Sequence, residues 1–447
     1  MKTLKISRGF NLNVAEQPDL NCAHLALPSS LGCCAGDIPH IRPKLLVKEG
    51  QRVKTGDALF TDKRDTTIEY VSPGTGLVEK VLYGHRRRLM EVVIATESED
   101  EYVEYDPVDL DGITGMPRDA LVTVLKKGGL WQGLRQFPAL DFADPEHSPA
   151  LIIVVMDGND LFSPRPEIIL EDNITAFEAG MAILRRFSNK LAVVCRESSL
   201  EGIREQGSSV ADQITHAAPD IYPAWHPGAV LYQIKQQVAE NSAWCIRLDH
   251  LVMMGRFLLS GRYPVEKIVT ITRPGEQRPH MQVRQGMPLS ALIGEMPGNS
   301  IVTTGRFNGR VLEKDAHIGF FENTVNIIEA GPEEEMFGFA RPGLNKPTVS
   351  STFLSSLFIR RPANMDCSLH GEARACINCS YCERICPNDL MPSFIMKSLH
   401  AGELEDALAL GLMDCCRCGL CSFACPSKIE LTQILSDAMD AYYKDKQ

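Results

Sequence analysis

Eight cysteines near the C-terminal end form two tetrads: Cys376, Cys379, Cys382 and Cys386 before Pro387, then Cys415, Cys418, Cys421 and Cys425 before Pro426. Each reads C-x2-C-x2-C-x3-C-P, the spacing of bacterial two-cluster ferredoxins. Three thiolates with two residues between them can close around three iron corners of one cubane. The fourth, one residue further on and turned by the proline, ligates the other cluster. The spacing therefore assigns Cys376, Cys379, Cys382 and Cys425 to one 4Fe-4S centre, and Cys415, Cys418, Cys421 and Cys386 to a second. The chemistry implied is one-electron transfer, and no catalytic side chain is expected. Two zinc tetrahedra are the competing use of eight thiols, but zinc sites usually come as paired CxxC motifs rather than three close ligands followed by Cys-Pro. Disulfides fit less well, because vicinal Cys415 and Cys416 and the many two-residue spacings would strain the bridges.

Such a module needs a scaffold, and the chain has ample length for one. Its 447 residues suggest about three domains, and 44% hydrophobic with 23% charged residues supplies packed cores. No signal-like apolar segment opens the chain, and apolar runs such as Leu151 to Met156 fall far short of a membrane span. A reducing cytoplasm is expected. A net charge of −11 argues against nucleic acid, and the run Arg86-Arg87-Arg88 reads as a solvated turn.

Residues 38 to 100 read as short strands between Gly/Pro turns. VKEGQRVKTGDALF followed by SPGTGLVEKV resembles the barrel-sandwich hybrid of lipoyl and biotinyl domains, which makes Lys63 a candidate modified lysine, although such sandwiches are often unmodified scaffolds. From about 115 to 260 the pattern turns α/β. Leu151 to Met156 is expected as a strand covered on both faces, Asn173 to Phe187 as a helix, and Leu191 to Val194 as the next strand of a parallel sheet. Ligands of such sheets lie at the carboxyl ends of strands, which points to Asp157-Gly158-Asn159-Asp160; a plain acidic turn is the other reading. Residues 264 to 335 return to strands and resemble a β-grasp module. Pro392 to His400 and Glu403 to Leu410, separated by Gly402, carry helical spacing, so the cysteine region is expected to be α-helical.

The order of parts resembles the C subunit of the Rnf complex and its relative, the A subunit of the Na+-translocating NADH:quinone reductase. Phrases similar to the latter run over nearly the whole chain: Lys5-Ile6-Ser7-Arg8-Gly9-Phe10-Asn11-Leu12, Gly129-Leu130-Trp131 with Arg135 and Pro138, His226-Pro227-Gly228, Asn241 through Ala243-Trp244, and Met336-Phe337-Gly338-Phe339-Ala340-Arg341-Pro342-Gly343 with Asn345-Lys346. The resemblance implies five parts: a barrel-sandwich hybrid over 1–110, an α/β domain related to a flavin-subunit fold over 111–260, an SLBB-like β-grasp domain over 261–335, a linker over 336–365, and an α-helical ferredoxin domain with two 4Fe-4S clusters over 366–447. It further implies a peripheral electron-transfer subunit on the cytoplasmic side of the bacterial inner membrane. Its partners would be the other subunits of a membrane redox complex that passes electrons from NADH toward quinone and exports sodium ions, with quinone bound at the level of the complex.

Two departures matter. The Rnf relatives carry a glycine-rich loop for flavin and nicotinamide phosphates, whereas here Trp131, Leu134 and Arg135 stand in that region, so FMN and NAD are not expected on this chain. Conversely, the familiar quinone-reductase sequences lack most of the cluster cysteines, so this chain resembles a quinone-reductase scaffold that retains Rnf-style clusters. An Rnf C-like NADH dehydrogenase subunit and a scaffold with structural clusters are the alternatives. Arg384, Arg417 and Lys428 are candidate tuners of potential or solvated helix residues. Cys22, Cys33 and Cys34 with His24 and His40 are too irregular for a metal motif, Cys367 and Cys416 are unassigned, and His226 is expected to be a packed loop residue.

Overall fold

The computed structural model describes residues 1–12, 18–273, 278–295, 298–331, 342–344, 346–350, 353–357, 367 and 373–446. Its centre is a seven-stranded sheet, ordered Lys2–Thr3, His216–Ala218, Leu191–Arg196, Ile152–Val155, Trp244–Arg247, Arg135–Gln136 and Asp141–Phe142. The first five pair in parallel and the last two add antiparallel. The run Leu151 to Met156 explains the two-sided burial, since none of its six residues is more than 1% exposed. Ile152, Val154 and Met156 face the helices Ile174–Phe187 and Leu248–Ser260 through Phe177, Met181, Leu184 and Leu251. Leu151, Ile153 and Val155 face the opposite side, where Trp225, Ala229 and Val230 pack together with Cys416, Cys418 and Leu420 of the cysteine region. Period-two alternation thus sends one strand into two cores, and the second core is where the cysteines dock.

Residues 30–96 form two small antiparallel sheets, Ser30–Cys34, Leu89–Thr96, Gly76–Tyr83 and Arg52–Val53 in one, and Pro43–Leu45, Ala58–Asp62 and Glu69–Val71 in the other. Stacked Phe60 and Tyr70, 4.9 Å apart, fill the space between with Leu59, Ile68, Val78 and Ile94. A five-stranded mixed sheet follows, ordered Ser300–Thr303, Thr324–Glu329, Glu266–Thr272, Arg278–Arg284 and Pro18–His24, with the helix Leu289–Ile293 against its apolar face. No helix among the described residues is long and apolar enough to cross a membrane.

Two strands of the expected 1–110 unit pair with neighbouring sheets. Lys2–Thr3 leaves it to pair in parallel with His216–Ala218, with Leu4 and Ile6 buried beside Ala218 and Tyr222. Pro18–His24 pairs with Arg278–Arg284 in the five-stranded sheet. Both additions cover strand edges whose backbone groups would otherwise be open. The tether continues at Gly9, where φ is +153° and an added Cβ would lie 2.2 Å from the Tyr222 carbonyl oxygen; only glycine fits. Phe10 then packs on Phe423 of the cysteine region, ring centres 5.0 Å apart. The expected linker 336–365 lies mostly outside the described residues.

Candidate redox site

The cysteine region is built from four short helices, Tyr381–Ile385, Pro392–His400, Leu404–Ala409 and Leu420–Phe423, and the longer Leu431–Lys446. Its two motifs have matching backbones. In the first, Asn378 and Ser380 take left-handed φ of +55° and +60°; in the second, Arg417 and Gly419 take +54° and +87°. Three residues beyond the last cysteine of each tetrad, Asp389 and Lys428 repeat it at +54° and +58°. Non-glycine residues rarely adopt this conformation, and its recurrence in register curls each loop around its own thiols.

Cys376, Cys379, Cys382 and Cys425 line one small cavity of about 20 Å³, with Ile377, Ser393, Ser427, Ile429 and Leu431 among the other walls. The fourth thiol therefore comes from the second motif. Cys386 stands with the other three: burial, then the neighbouring Cys418 and Cys415, push its thiol up to about 12. Burial also raises Cys415 to about 11, with Cys418 adding to it while the Arg417 N–H, 3.4 Å from the sulfur, works against it. Cys421 is raised by burial and by Cys415, Cys418 and Cys386. Cys418 is lowered, because the buried thiol of Cys416 hydrogen-bonds to it. Iron binds thiolates, so raised thiol pKa values are a cost that ligation must offset.

The donors suit an iron–sulfur cubane: each set offers four thiols, and no carboxylate or imidazole lines the first cavity among the described residues. Among those residues no three Cys, His, Asp or Glu side chains converge on a point as a single ion would require. A cubane asks for a wider set, since each thiolate takes a different iron.

The second set is held to the α/β layer. The Tyr222 hydroxyl donates to the Cys418 carbonyl at 2.8 Å, Asn388 donates to the Gly228 carbonyl at 3.4 Å, and Lys235 pairs with Asp414 at 2.6 Å. Gly228 allows the closest approach, for an added Cβ would lie 2.8 Å from that of Cys416.

Beside this junction lies a cavity of about 320 Å³ at the carboxyl ends of Ile152–Val155 and Trp244–Arg247. It falls where the strand order reverses, the usual place for a ligand in an open α/β sheet. Asn159, Asp160, Arg135, His226 and Arg417 line it. Asp157 does not: its carboxylate accepts the Arg196 N–H and the Ser199 hydroxyl, both at 2.8 Å, and caps that turn. His226 Nδ1 accepts the Gly228 N–H at the start of the helix Pro227–Ile234, and burial lowers its pKa to about 4, so it is neutral at pH 7. Arg417 pairs with Asp440 at 2.7 Å, while Arg384 is exposed over the Tyr381 ring. Lys63 is exposed at the end of Ala58–Asp62, its N–H on the Arg42 carbonyl. The structure does not gather the N-terminal thiols and imidazoles: Cys34 lies against Glu91, whereas His40 bonds the Ala139 carbonyl. Sequence reasoning pointed to a ligand here only through Asn159 and Asp160, named Arg135, His226 and Arg417 for other reasons, and missed Tyr222; the aromatic run near His226-Pro227 was the available signal.

Family models match three stretches in order: the NqrA N-terminal barrel-sandwich hybrid domain over residues 4–97, the NqrA second alpha/beta domain over 116–263, and a 4Fe-4S dicluster domain over 375–429. The chain belongs to the NqrA family. Similar relatives include the A subunit of the Na(+)-translocating NADH-quinone reductase of Vibrio vulnificus strain YJ016, 28% identical over 450 residues that cover 99% of this chain and all of the relative. The Klebsiella pneumoniae strain 342 subunit of the same name is 28% identical over 96% of each chain. A solved NAD+-reducing [NiFe]-hydrogenase chain is 13% identical, covering 78% of this chain and 67% of its own at a TM-score of 0.38. The NqrA match makes the paired small sheets a barrel-sandwich hybrid and the seven-stranded layer the family's α/β domain; a ferredoxin-like dicluster domain follows.

Proposed function

We propose that this NqrA-family chain is the peripheral electron-transfer subunit of a membrane NADH:quinone oxidoreductase coupled to sodium transport. The observation that carries the reading is the grouping of eight cysteines into two sets that exchange their fourth members, on a chain otherwise similar to its NqrA relatives from end to end. Cys376, Cys379, Cys382 and Cys425 would hold one 4Fe-4S cluster, and Cys386, Cys415, Cys418 and Cys421 the other; when bound, the pair supplies one-electron redox chemistry. The chain's own residues position it: Tyr222, Asn388 and Lys235 fix the second set to the α/β layer. The first set stands at the protein's edge beside Ile377, which is 66% exposed and open to a partner.

The remaining parts are read as docking elements on the cytoplasmic face of a bacterial inner membrane. The divisions 1–110, 111–260, 261–335, 336–365 and 366–447 are kept, with the first two strands lent to neighbouring sheets. The helix on the five-stranded sheet supports the SLBB-like β-grasp assignment. The packing of the 128–138 loop favours a subunit without FMN or NAD: Gly129 is backed by Val71, Gly133 by His250, and Trp131 is buried, so its amides form no open phosphate cradle. Quinone belongs to the assembled complex in this reading.

The test is NADH:quinone turnover in membranes carrying Cys379→Ser or Cys418→Ser. Assembly retained with turnover lost supports electron transfer. Turnover retained means a scaffold with structural clusters. Copurified flavin with NADH-dependent dye reduction by the isolated chain would favour an Rnf C-like dehydrogenase instead.

A further inference from the structure

Arg135, 8% exposed, is a buried cation with no carboxylate bonded to it. Its Nε and Nη2 donate to the Leu140 carbonyl, and Nη2 also reaches toward that of Pro39. Asp141, the acid next along the chain, is engaged by Arg64. The remaining nitrogen, Nη1, is buried and has no hydrogen-bond partner among the described residues, and neither has Asn159 Oδ1. Both residues line the 320 Å³ cavity at the strand-order reversal.

A buried charged donor left unpaired is costly, and native structures nearly always satisfy such groups. The other charged groups of this cavity are already engaged. Arg247 pairs with Asp249 and Arg417 with Asp440, Glu322 is held by Arg310, and Asp160 accepts the Arg306 N–H at 2.8 Å. Arg135 is left as the cation with no carboxylate bonded to it; Asp141 attracts it only through space and is itself bonded by Arg64. Leu140, Val155, Ile246 and Phe321 supply apolar walls, and the space equals about ten water volumes, enough for one small ring.

We propose that this cavity binds a small aromatic carboxylate, its anionic oxygens on Arg135 and a hydrogen-bond donor turned to Asn159. Only Arg417 of the cysteine loops lines this cavity, so its failure to bind leaves the electron-transfer reading standing, and the reverse holds too.

The probe is 4-hydroxybenzoate, titrated calorimetrically into the full-length chain, with neutral 4-hydroxybenzamide as the isosteric control. Saturable binding of one equivalent is expected, about tenfold or more weaker for the amide. Arg135→Gln should bring the acid down to the affinity of the amide. Because Arg135 also holds Leu140, Asn159→Asp is the second variant: it adds a negative charge, leaves Arg135 and its hydrogen bonds in place, and should weaken the acid by about tenfold more than the amide. No saturable binding to the wild-type chain overturns the proposal. So does equal binding of acid and amide, or binding of the acid undiminished in both variants.

Discussion

Cys376 and Cys379 stand at an edge of the protein, with Ile377 66% exposed between them and Met391 and Phe394 exposed nearby in sequence. Cys418 and its neighbour Cys416 are instead walled in by Tyr222, Trp225, Ala229 and Phe137 of the α/β layer. One motif, repeated with the same left-handed turns, has been placed in two environments. Spacing decides which thiols meet, while the partner layer decides how wet and how fixed each set is. Solvent access and hydrogen bonds to sulfur set iron–sulfur potentials, so two centres in these sets should differ in potential although their ligands match.

The contrast between the sets is challenged most severely by removing one thiol from each. Cys379→Ser and Cys418→Ser should each lose about four irons. Cys418→Ser should also lower the melting temperature further, since its set is part of the core joining two layers; each kcal/mol lost there corresponds to about 2–4 °C. Equal melting shifts would mean that the buried surroundings add nothing.

Gly228→Val presses on Cys416 from the α/β side and should cost about 1–3 kcal/mol by overpacking. The spectrum of the second set should be perturbed and that of the first left alone. Denaturant unfolding with EPR reads both.

Asp37 provides a control remote from both sets, between the N-terminal sheets and the five-stranded sheet. Burial, and then Glu322, raise its carboxyl to about 6 even though Arg310 pairs with it at 2.7 Å. The folded state therefore holds a proton that the unfolded state releases near pH 4. Stability from this group is complete below pH 4 and is lost as pH rises through about 6, worth roughly 2 kcal/mol. Asp37→Asn should flatten that decline in melting temperature between pH 4 and 7 and leave both cysteine sets as they are. An unchanged slope would refute the assignment.

Tyr222→Phe is the smallest change. Loss of the buried bond to the Cys418 carbonyl should cost about 1 kcal/mol. It should shift the potential of the second set alone; a shift in the first would show that the two are not separately tuned.

The tetrads, the doubly buried strand at Leu151 to Met156 and the helices flanking Gly402 were legible because each carries a period or a spacing that local chemistry enforces. Lys2–Thr3 was not, since two residues show no period and their pairing depends on an edge more than two hundred residues away. The cavity at the end of the Leu151 to Met156 strand was half legible. A strand end in a parallel sheet points there, but only the packing shows that Asp157 caps a turn while Asn159 and Asp160 line the cavity. Arg135 stood out in the sequence as an obstacle to phosphate; that it is buried with an open donor is a tertiary fact.

Everything proposed for electron transfer rests on eight cysteines holding two cubanes. Anaerobic iron and sulfide analysis of the purified chain, with EPR of the dithionite-reduced protein, decides whether they do. About eight irons and about eight labile sulfides per chain are expected, with two paramagnetic centres that interact. About two zinc ions per chain with no paramagnetic signal would contradict it.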